Sequence, residues 1–275
     1  MHVIKTVSEL KQCLTAFKNI SFVPTMGNLH AGHMALFEEA YKKSEGVVFS
    51  IFINRIQFND SNDFINYPRT LANDLSLIKK KFPSAIIFHP EENELYFNHS
   101  PKEFALGKVV EDLCGRSRPG HFQGVATIID IFLAMINPKY LFLGKKDYQQ
   151  LCVIENFCKI YYPHVTVIPV RTIRDVNNLA LSSRNNLLKD KMKAANLYKI
   201  LSQASQAIKS LSDIQQQTKL AKEQLVKENW QIDYVEVRTQ KKLTHPKDND
   251  KELIILAAVY CEKIRLIDNI EFCIE

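Results

Sequence analysis

Two histidines at the end of an apolar run are the residues best placed to do chemistry. His30 and His33 follow the strand-like residues 20–23, with Gly27 and Gly32 beside them. If a helix begins near His30, both imidazoles lie on one side of its first turn, where unpaired N–H groups and the helix dipole favour an anion. Glycines let backbone and ligand approach closely. The spacing predicts a phosphate site, although ordinary surface or core histidines would give the same spacing.

Two further polar groups follow strand-like runs. Gln57 comes soon after residues 47–53, and an amide there suits a substrate that carries hydroxyls and a carboxylate. Lys146 and Asp147 follow residues 140–143, where a lysine can neutralise phosphate and an aspartate can accept hydrogen bonds from ribose hydroxyls. Taken alone, these residues are better explained by a solvated loop glutamine and by a solvated helix start that Asp147 caps.

A third group is the tripeptide Ser182-Ser183-Arg184. Its two hydroxyls and its guanidinium can hold β- and γ-phosphates through short, charge-assisted hydrogen bonds. Because the tripeptide is common by chance, its meaning depends on the longer string at residues 179–185.

Two longer strings carry a resemblance to known proteins. The first resembles the pantothenate synthetase family, within the H-x-G-H nucleotidyltransferase superfamily: Pro24-Thr25-Met26-Gly27-Asn28-Leu29-His30-x-Gly32-His33. The second resembles that family's other signature: Leu179-Ala180-Leu181-Ser182-Ser183-Arg184-Asn185. Further matches at 67–71, 117–122 and 266–269 extend the resemblance over essentially the whole chain. The chain departs from the family pattern at three places, which affect loop rigidity and local charge. Arg55 stands where the family has proline, Lys145 where it has an acidic residue or glutamine, and Asn177-Asn178 where it has Asp-Gly.

The resemblance implies a reaction and a set of site residues. The family joins pantoate to β-alanine with ATP, through a pantoyl adenylate, and releases AMP and pyrophosphate. By resemblance, the catalytic residues are His33, His30, Lys146, Ser182, Ser183 and Arg184, with His33 donating a proton or hydrogen bond to the developing charge. The nucleotide would contact Met26, Gly27, Asn28, Leu29, His30, Ala31, Gly32, His33, Gly144, Lys145, Lys146, Asp147, Ile173, Leu181, Ser182, Ser183 and Arg184. Pantoate would contact Gln57, Gln150, Pro24 and Met26.

The resemblance also implies partners. Mg²⁺ is expected with ATP, held mostly by phosphate and water rather than by protein ligands, with Asp74 at most an outer-sphere contact. The substrates are pantoate, β-alanine and ATP, and the expected assembly is a homodimer. We expect no nucleic-acid or membrane partner.

The elements that must position these residues alternate along the chain. A capping box at Thr6 and Glu9 predicts a helix to about residue 17, and a helix is expected over 34–43. Strands are expected over 47–53, 85–88, 140–143 and 165–170, with helices over 71–81, 125–136 and 148–161. This pattern predicts an α/β fold, a Rossmann-like parallel sheet with helices on both faces, and ligands at the carboxyl ends of its strands.

A second unit is expected after the first sheet. Helices over 189–211 and 214–229 and strands over 232–238, 253–261 and 265–272 predict a smaller C-terminal α+β domain. We therefore divide the chain into a nucleotide- and pantoate-binding domain at 1–174 and a lid-forming domain at 175–275. The segment 122–136 is apolar on nearly all sides, so it is either a helix buried in one subunit or a subunit interface.

Composition excludes several classes of protein. The chain has 275 residues, 46% of them hydrophobic and 24% charged, with a formal net charge of +6. Its lysines are dispersed, which favours an anionic substrate over nucleic acid. Its apolar runs are too short to span a bilayer, and no secretory signal is visible. The six cysteines form no C-x-x-C pair, which indicates reduced thiols and a cytoplasmic location.

Two rival functions share parts of this pattern. One is a nucleotidyltransferase that moves AMP onto a phosphorylated acceptor. The two glutamines, in place of extra arginines for an acceptor phosphate, argue against it. The other is a non-catalytic nucleotide- or RNA-binding module, against which the intact His30, His33, Lys146 and Arg184 argue.

Overall fold

The computed structural model describes residues 1–97 and 102–275. Its strands are β1 (His2–Ile4), β2 (Ile20–Thr25), β3 (Gly46–Ile51), β4 (Ile86–Phe88), β5 (Tyr140–Gly144), β6 (Thr166–Val170), β7 (Gln231–Thr239), β8 (Glu252–Cys261) and β9 (Ile264–Cys273). Its α-helices are α1 (Val7–Leu14), α2 (Ala31–Tyr41), α3 (Ser61–Ile65), α4 (Leu71–Lys81), α5 (Glu92–Tyr96), α6 (Cys114–Ser117), α7 (His121–Ile136), α8 (Tyr148–Tyr161), α9 (Lys191–Ala207) and α10 (Asp213–Lys227). Short 3₁₀ turns cover Arg55–Gln57, Lys108–Val110, Lys145–Asp147 and Ser183–Leu187.

The first six strands form one parallel sheet, in the order β1-β4-β3-β2-β5-β6. Every pair in it is parallel, which confirms the predicted sheet. The strand order reverses at β2, whose neighbours are β3 on one side and β5 on the other. In open α/β sheets a ligand crevice forms at such a switch point, beyond the carboxyl ends of the strands.

Both faces of this sheet are covered, as predicted. Successive residues of β2 point to opposite sides, so Val23 packs with α2 and α4 while Phe22 packs with α7. Phe37 of α2 stacks on Phe49 of β3, with ring centroids 3.7 Å apart. On the other face Phe22 meets Phe132 edge to face at 5.3 Å. Strands buried on both faces explain why the sequence shows continuous apolar runs rather than alternation.

The apolar helix α7 is buried inside the chain, which decides between the two alternatives for it. Twelve of its residues are buried, and they pack against the first sheet and α1 and α8. Its buried carboxylate, Asp130, accepts hydrogen bonds from the Tyr162 hydroxyl at 2.6 Å and from Lys102 Nζ at 3.0 Å. No subunit interface is needed to cover this helix.

The C-terminal unit is a separate antiparallel sheet, β7-β8-β9, with α9 and α10 packed on it. The predicted smaller α+β domain is therefore confirmed. Strand β8 is buried on both faces: Ile254 and Leu256 join the core of the first unit, while Leu253 and Ile255 pack with α9. The domain boundary at 174/175 and the lid stay predictions.

Several bounds differ from the sequence predictions. The Thr6–Glu9 capping box is present, but α1 ends at Leu14 rather than near residue 17. Helix α9 ends at Ala207 rather than at 211, because Ile208 is extended. The strand β1 and the short helices α3, α5 and α6 were not predicted. Among the described residues, no helix is both long and apolar enough to cross a membrane.

Candidate active site

One cavity lies at the carboxyl ends of β2, β3, β5 and β6, at the switch point of the sheet. It collects most of the predicted site residues: Pro24, Met26, His30, Gly32, His33, Gln57, Gly144, Lys146, Asp147, Gln150, Ile173, Leu181, Ser182, Ser183 and Arg184. The other predicted residues lie outside its lining: Gly27, Asn28, Leu29, Ala31 and Lys145. The sheet therefore brings together segments that are up to about 160 residues apart in sequence.

The two histidines are held by the first turn of α2. His30 is the N-cap of this helix, and its Nδ1 accepts the Gly32 N–H at 3.1 Å. Nδ1 of His33 accepts the His30 N–H at 3.3 Å, and the two ring centroids are 4.1 Å apart. Because each Nδ1 is an acceptor, these hydrogen bonds assign the proton of each neutral ring to Nε2. Each histidine therefore keeps one N–H donor for a ligand.

Both imidazoles are neutral at physiological pH. Burial lowers the pKa of His30 to about 4, and the charge of Lys146 lowers it further while Asp147 opposes this. Burial also lowers the pKa of His33 to about 3, with His30 and Lys146 adding to the effect. Of the two roles predicted for His33, the geometry thus favours hydrogen-bond donation over proton donation.

Asp74 holds the loop that leads to the histidines. Its side chain is 3% exposed on α4; Oδ2 accepts the Asn28 N–H at 2.9 Å and the Thr70 hydroxyl at 3.1 Å. Oδ1 accepts the Leu29 N–H at 2.8 Å. Gly27 has a positive φ of 78°, and a Cβ there would lie 3.1 Å from Asp74 Oδ2. The carboxylate therefore fixes the backbone of the turn, and only glycine fits this close approach without strain.

The second signature contacts the first one directly. The Asn28 side-chain amide donates to the Ser183 carbonyl at 3.2 Å, and the Ser183 hydroxyl donates to the Asn28 carbonyl at 3.3 Å. Ser182 Oγ accepts the Arg184 N–H at 3.3 Å, which caps the 3₁₀ turn that follows. The Arg184 guanidinium forms an ion pair with Asp63 at 2.8 Å. The two predicted phosphate-binding segments thus form one wall.

Lys146 is presented by a turn that the C-terminal sheet holds. The Asn269 amide of β9 donates to the carbonyls of both Lys145 and Lys146 at 3.0 Å. Lys146 Nζ lies 3.7 Å from an oxygen of Asp147, and its side chain is 19% exposed. The Lys145 side chain points away from the cavity to an ion pair with Glu271 at 2.6 Å. Of the two lysines, only Lys146 offers its side chain to the cavity.

The amide end of the cavity is built around Gln57. Its Nε2 donates to Met26 Sδ at 3.0 Å, and its Oε1 accepts from Asn54 Nδ2 at 3.0 Å. Gln150 lines the same cavity from α8. The adjacent Gln149 is 4% exposed and bonds to three backbone groups, so it is a packing residue.

The start of α7 fixes the turn that carries Gln57. A Cβ on Gly124 would lie 2.5 Å from the Ile56 carbonyl oxygen, so only glycine permits this approach. The His121 ring donates through Nδ1 to the Gln57 carbonyl at 2.7 Å and accepts from Arg118 through Nε2 at 3.1 Å. Burial, and then the charge of Arg118, lower the pKa of His121 to about 4, so this ring too is neutral. The sequence showed no role for His121, because its partner is a backbone carbonyl 64 residues away.

Comparison with known proteins identifies the family. The sequence profile of pantoate-beta-alanine ligase matches residues 2–271. The pantothenate synthetase of Neisseria meningitidis serogroup B is 40% identical over 275 residues, covering 98% of this chain and 99% of that protein. The chain belongs to the pantoate–β-alanine ligase family. It is accordingly an enzyme, a ligase.

Solved structures agree with this membership. Pantothenate synthetase from Thermus thermophilus is 32% identical, with a TM-score of 0.88, covering 98% of this ligase chain and 99% of that one. Pantoate-beta-alanine ligase from Francisella tularensis, solved in complex with β-γ ATP and β-alanine, is 30% identical, with a TM-score of 0.79 and coverage of 98% and 97%. The fold described above is the fold of this ligase family.

The ligase cavity has lining residues that the sequence did not assign: Thr25, Leu36, Ser50, Phe52, Asn54, Tyr67, Val125, Ile128, Ile129, Phe132, Phe142, Leu143, Ile154, Arg171 and Thr172. Several of these residues are apolar and lie on α7. The sequence indicated that this helix is apolar on nearly all sides, but not that it lines the cavity. Asn54 and Tyr67 belong to segments that resemble the family, but their spacing gave no reason to choose them over neighbouring residues as site residues. The Tyr67 side chain hydrogen-bonds to Ser183, and burial raises its pKa.

The described part of this ligase chain has no cluster of three or more His, Cys, Asp or Glu side chains that could hold a metal ion. The oxygens of Asp74 are used by backbone N–H groups, and Asp147 is the cavity carboxylate nearest Lys146. This donor set fits a Mg²⁺ ion that arrives with nucleotide phosphates, since Mg²⁺ keeps several waters and needs few protein ligands.

Proposed function

We propose that this ligase condenses pantoate with β-alanine in an ATP-dependent reaction that passes through pantoyl adenylate and releases AMP and pyrophosphate. One observation carries the proposal. A single cavity joins a phosphate end, with His30, His33, Lys146 and Arg184, to an amide end with Gln57 and Gln150. A nucleotide and a hydroxy acid can therefore meet in it.

In the first step, a pantoate carboxylate oxygen attacks the α-phosphorus of ATP. The new O–P bond forms as the bond from the α-phosphorus to the β-phosphate oxygen breaks, and pyrophosphate leaves with that electron pair. Gln57 and Gln150 orient the acid through hydrogen bonds. The Nε2–H groups of His30 and His33 donate to phosphate oxygens as charge builds up on them.

Pyrophosphate is stabilised by the other polar and cationic side chains of the same cavity. Lys146, Ser182, Ser183 and Arg184 supply one ammonium, two hydroxyls and one guanidinium, and none of them needs to change protonation state. Arg184 exchanges its Asp63 partner for phosphate oxygens. Mg²⁺, which we propose accompanies the nucleotide, supplies charge neutralisation between phosphates.

In the second step, the amine of β-alanine attacks the acyl carbon of the adenylate. The C–N bond forms, the bond from that carbon to the AMP oxygen breaks, and the amine releases its proton to solvent. The apolar residues that α7 contributes to the cavity lining disfavour water near the acyl carbon. We further propose that the C-terminal unit acts as a lid, that the enzyme is a homodimer and that it works in the cytoplasm.

The experiment measures AMP and pyrophosphate formation from ATP with Mg²⁺, with pantoate and β-alanine each omitted in turn. We expect no AMP without pantoate, and without β-alanine a single burst that ends at a tightly held adenylate. Exchange of labelled pyrophosphate into ATP should require pantoate and not β-alanine. Production of ADP would exclude adenylation, and AMP transfer to a phosphorylated acceptor would support the rival nucleotidyltransferase.

A further inference from the structure

Arg118 is a cation beside the active site without a carboxylate partner among the described residues. Its NH1 donates to Nε2 of His121 at 3.1 Å and its NH2 to the Gln57 carbonyl at 3.4 Å. Both partners are neutral, and the remaining N–H groups of the guanidinium have no partner in the described chain. Burial lowers the pKa of Arg118 and the charges of Arg184 and Arg265 lower it further, while the charge of Asp63, which pairs with Arg184, opposes this. A cation in such surroundings is costly unless an anion joins it.

The neighbouring arginines differ in this respect. Arg118, Arg184 and Arg265 line one groove between the first unit and the C-terminal sheet. Arg184 pairs with Asp63 at 2.8 Å, and Arg265 pairs with Asp233 at 2.7 Å. The remaining acidic residues of this groove are also engaged: Asp60 caps α3, Asp147 lies near Lys146 and Asp268 pairs with Arg174. Among the described residues of the groove, Arg118 is therefore a partly buried guanidinium that forms no ion pair.

This guanidinium is next to the reacting groups. The groove shares Lys146, Asp147, Ser182 and Arg184 with the active-site cavity, so the two spaces adjoin. Arg118 touches the backbone of Gln57, whose side chain lines the amide end of the cavity. A small molecule held by Arg118 at one end can therefore reach into the cavity with the other end.

We propose that Arg118 binds the carboxylate of the amine substrate and so selects an amino acid over a simple amine. This inference rests on the proposed function. The phosphates already have donors among the side chains of the active-site cavity, whereas the second substrate needs a cation for its carboxylate and space for its uncharged amine. A guanidinium binds a carboxylate through two parallel hydrogen bonds, which also fixes the direction of the chain behind it.

The test uses Arg118→Gln and Arg118→Lys in the full-length enzyme. We expect the KM for β-alanine to rise on the order of 10²-fold in Arg118→Gln and less in Arg118→Lys, which keeps the charge but loses the fork. The KM values for ATP and pantoate in pyrophosphate exchange should stay within about twofold of wild type. Discrimination between β-alanine and its uncharged amide should collapse in Arg118→Gln, and a merely structural role would not produce this result.

Arg116→Gln is the matched control. Arg116 lies two residues away on α6, is 58% exposed and is only 3.7 Å from Asp112 at its nearest approach. The Arg116→Gln variant should leave every KM unchanged. It tests whether the loss of one positive charge from this segment is enough to change substrate binding.

Three outcomes overturn the proposal. An unchanged KM for β-alanine in both Arg118 variants removes the carboxylate contact. If the KM for pantoate rises as much as the KM for β-alanine, the role of Arg118 is to position Gln57. If β-alanine kinetics are unchanged but added pyrophosphate inhibits less, the anion that Arg118 binds is pyrophosphate. If wild-type enzyme shows no pantoate-dependent exchange, the proposed function itself has failed, which is a separate result.

Discussion

The histidine pair shows how neighbouring backbone groups decide the chemistry of a side chain. Each Nδ1 accepts a backbone N–H, and burial lowers the pKa of His30 to about 4 and of His33 to about 3. A neutral ring with a fixed tautomer is a hydrogen-bond donor whose strength does not vary near neutral pH. Two neutral donors at a helix N-terminus suit a nucleotide that brings its own charge.

His33→Ala should lower the rate of adenylate formation far more than it lowers ATP affinity. Lys146, Arg184 and the helix N-terminus still bind the ground-state phosphates, whereas the transition state loses one donor, which typically costs on the order of 10²–10³ in rate. His33→Gln should recover part of the loss, because an amide also donates. Single-turnover formation of pantoyl adenylate is the measurement, and a full rate in both variants would make His33 structural.

The two neighbouring glutamines give a matched pair of variants. Gln150→Ala should weaken pantoate binding by about 1–3 kcal/mol and leave ATP binding nearly unchanged, because it removes hydrogen bonds to the acid alone. Gln149→Ala should leave pantoate binding unchanged but lower the free energy of unfolding, since its buried amide bonds to three backbone groups. Isothermal titration and urea unfolding of both variants test this. Equal weakening of ATP and pantoate binding by Gln150→Ala would contradict the assignment.

At the scale of elements, the sequence predicted long helices with a periodic apolar pattern, but not the short elements whose formation depends on contacts with distant residues. Helices α4 and α8 begin and end where the sequence pattern places them. Strand β1 has only three residues, and its identity depends on pairing with β4 about 80 residues away. The positions of His30, His33 and Gln57 at one sheet edge followed from the α/β pattern. The positioning role of Asp74 did not, because its partners are backbone N–H groups 45 and 46 residues distant.

The turn before α2 should depend on Asp74. Asp74→Ala leaves the N–H groups of Asn28 and Leu29 without their acceptor, and each orphaned buried group costs about 1–3 kcal/mol. We expect a lower free energy of unfolding and weaker ATP binding, with Asp74→Asn intermediate because its amide keeps one accepting oxygen. Urea unfolding and ATP titration measure both effects. Unchanged ATP affinity in a destabilised Asp74→Ala protein would show that the turn does not position the nucleotide.

At the scale of the molecule, three neutral histidines with lowered pKa values link stability to pH. The pKa values of His30, His33 and His121 are about 4, 3 and 4, against about 6.5 in an unfolded chain. The unfolded state therefore binds more protons as the pH falls below 6.5, and the free energy of unfolding should decrease by up to about 1.4 kcal/mol per pH unit for each group. Urea unfolding at pH 7 and pH 5 tests this. The slope should be shallower in His33→Gln and His121→Asn, and an unchanged slope would contradict neutral burial.

The two units meet where Lys146 is held, so the C-terminal sheet should affect the rate of the first step. Asn269→Ala removes the amide that bonds to the carbonyls of Lys145 and Lys146, so the lysine turn can shift. Because a displacement of about 1 Å can cost on the order of 10² in rate, we expect adenylate formation to slow markedly while the free energy of unfolding falls by only about 1–2 kcal/mol.

Asp268→Asn is the contrasting variant, because it weakens the bidentate ion pair with Arg174. The two carboxylate oxygens lie 2.6 and 2.8 Å from the guanidinium, and the Asp268 side chain is 4% exposed. That variant should lose more stability, up to about 3–5 kcal/mol, because it leaves a half-paired buried charge. Stopped-flow adenylate formation and thermal unfolding separate the two effects. If Asn269→Ala keeps the wild-type rate, the C-terminal sheet supports the fold of this edge without positioning Lys146.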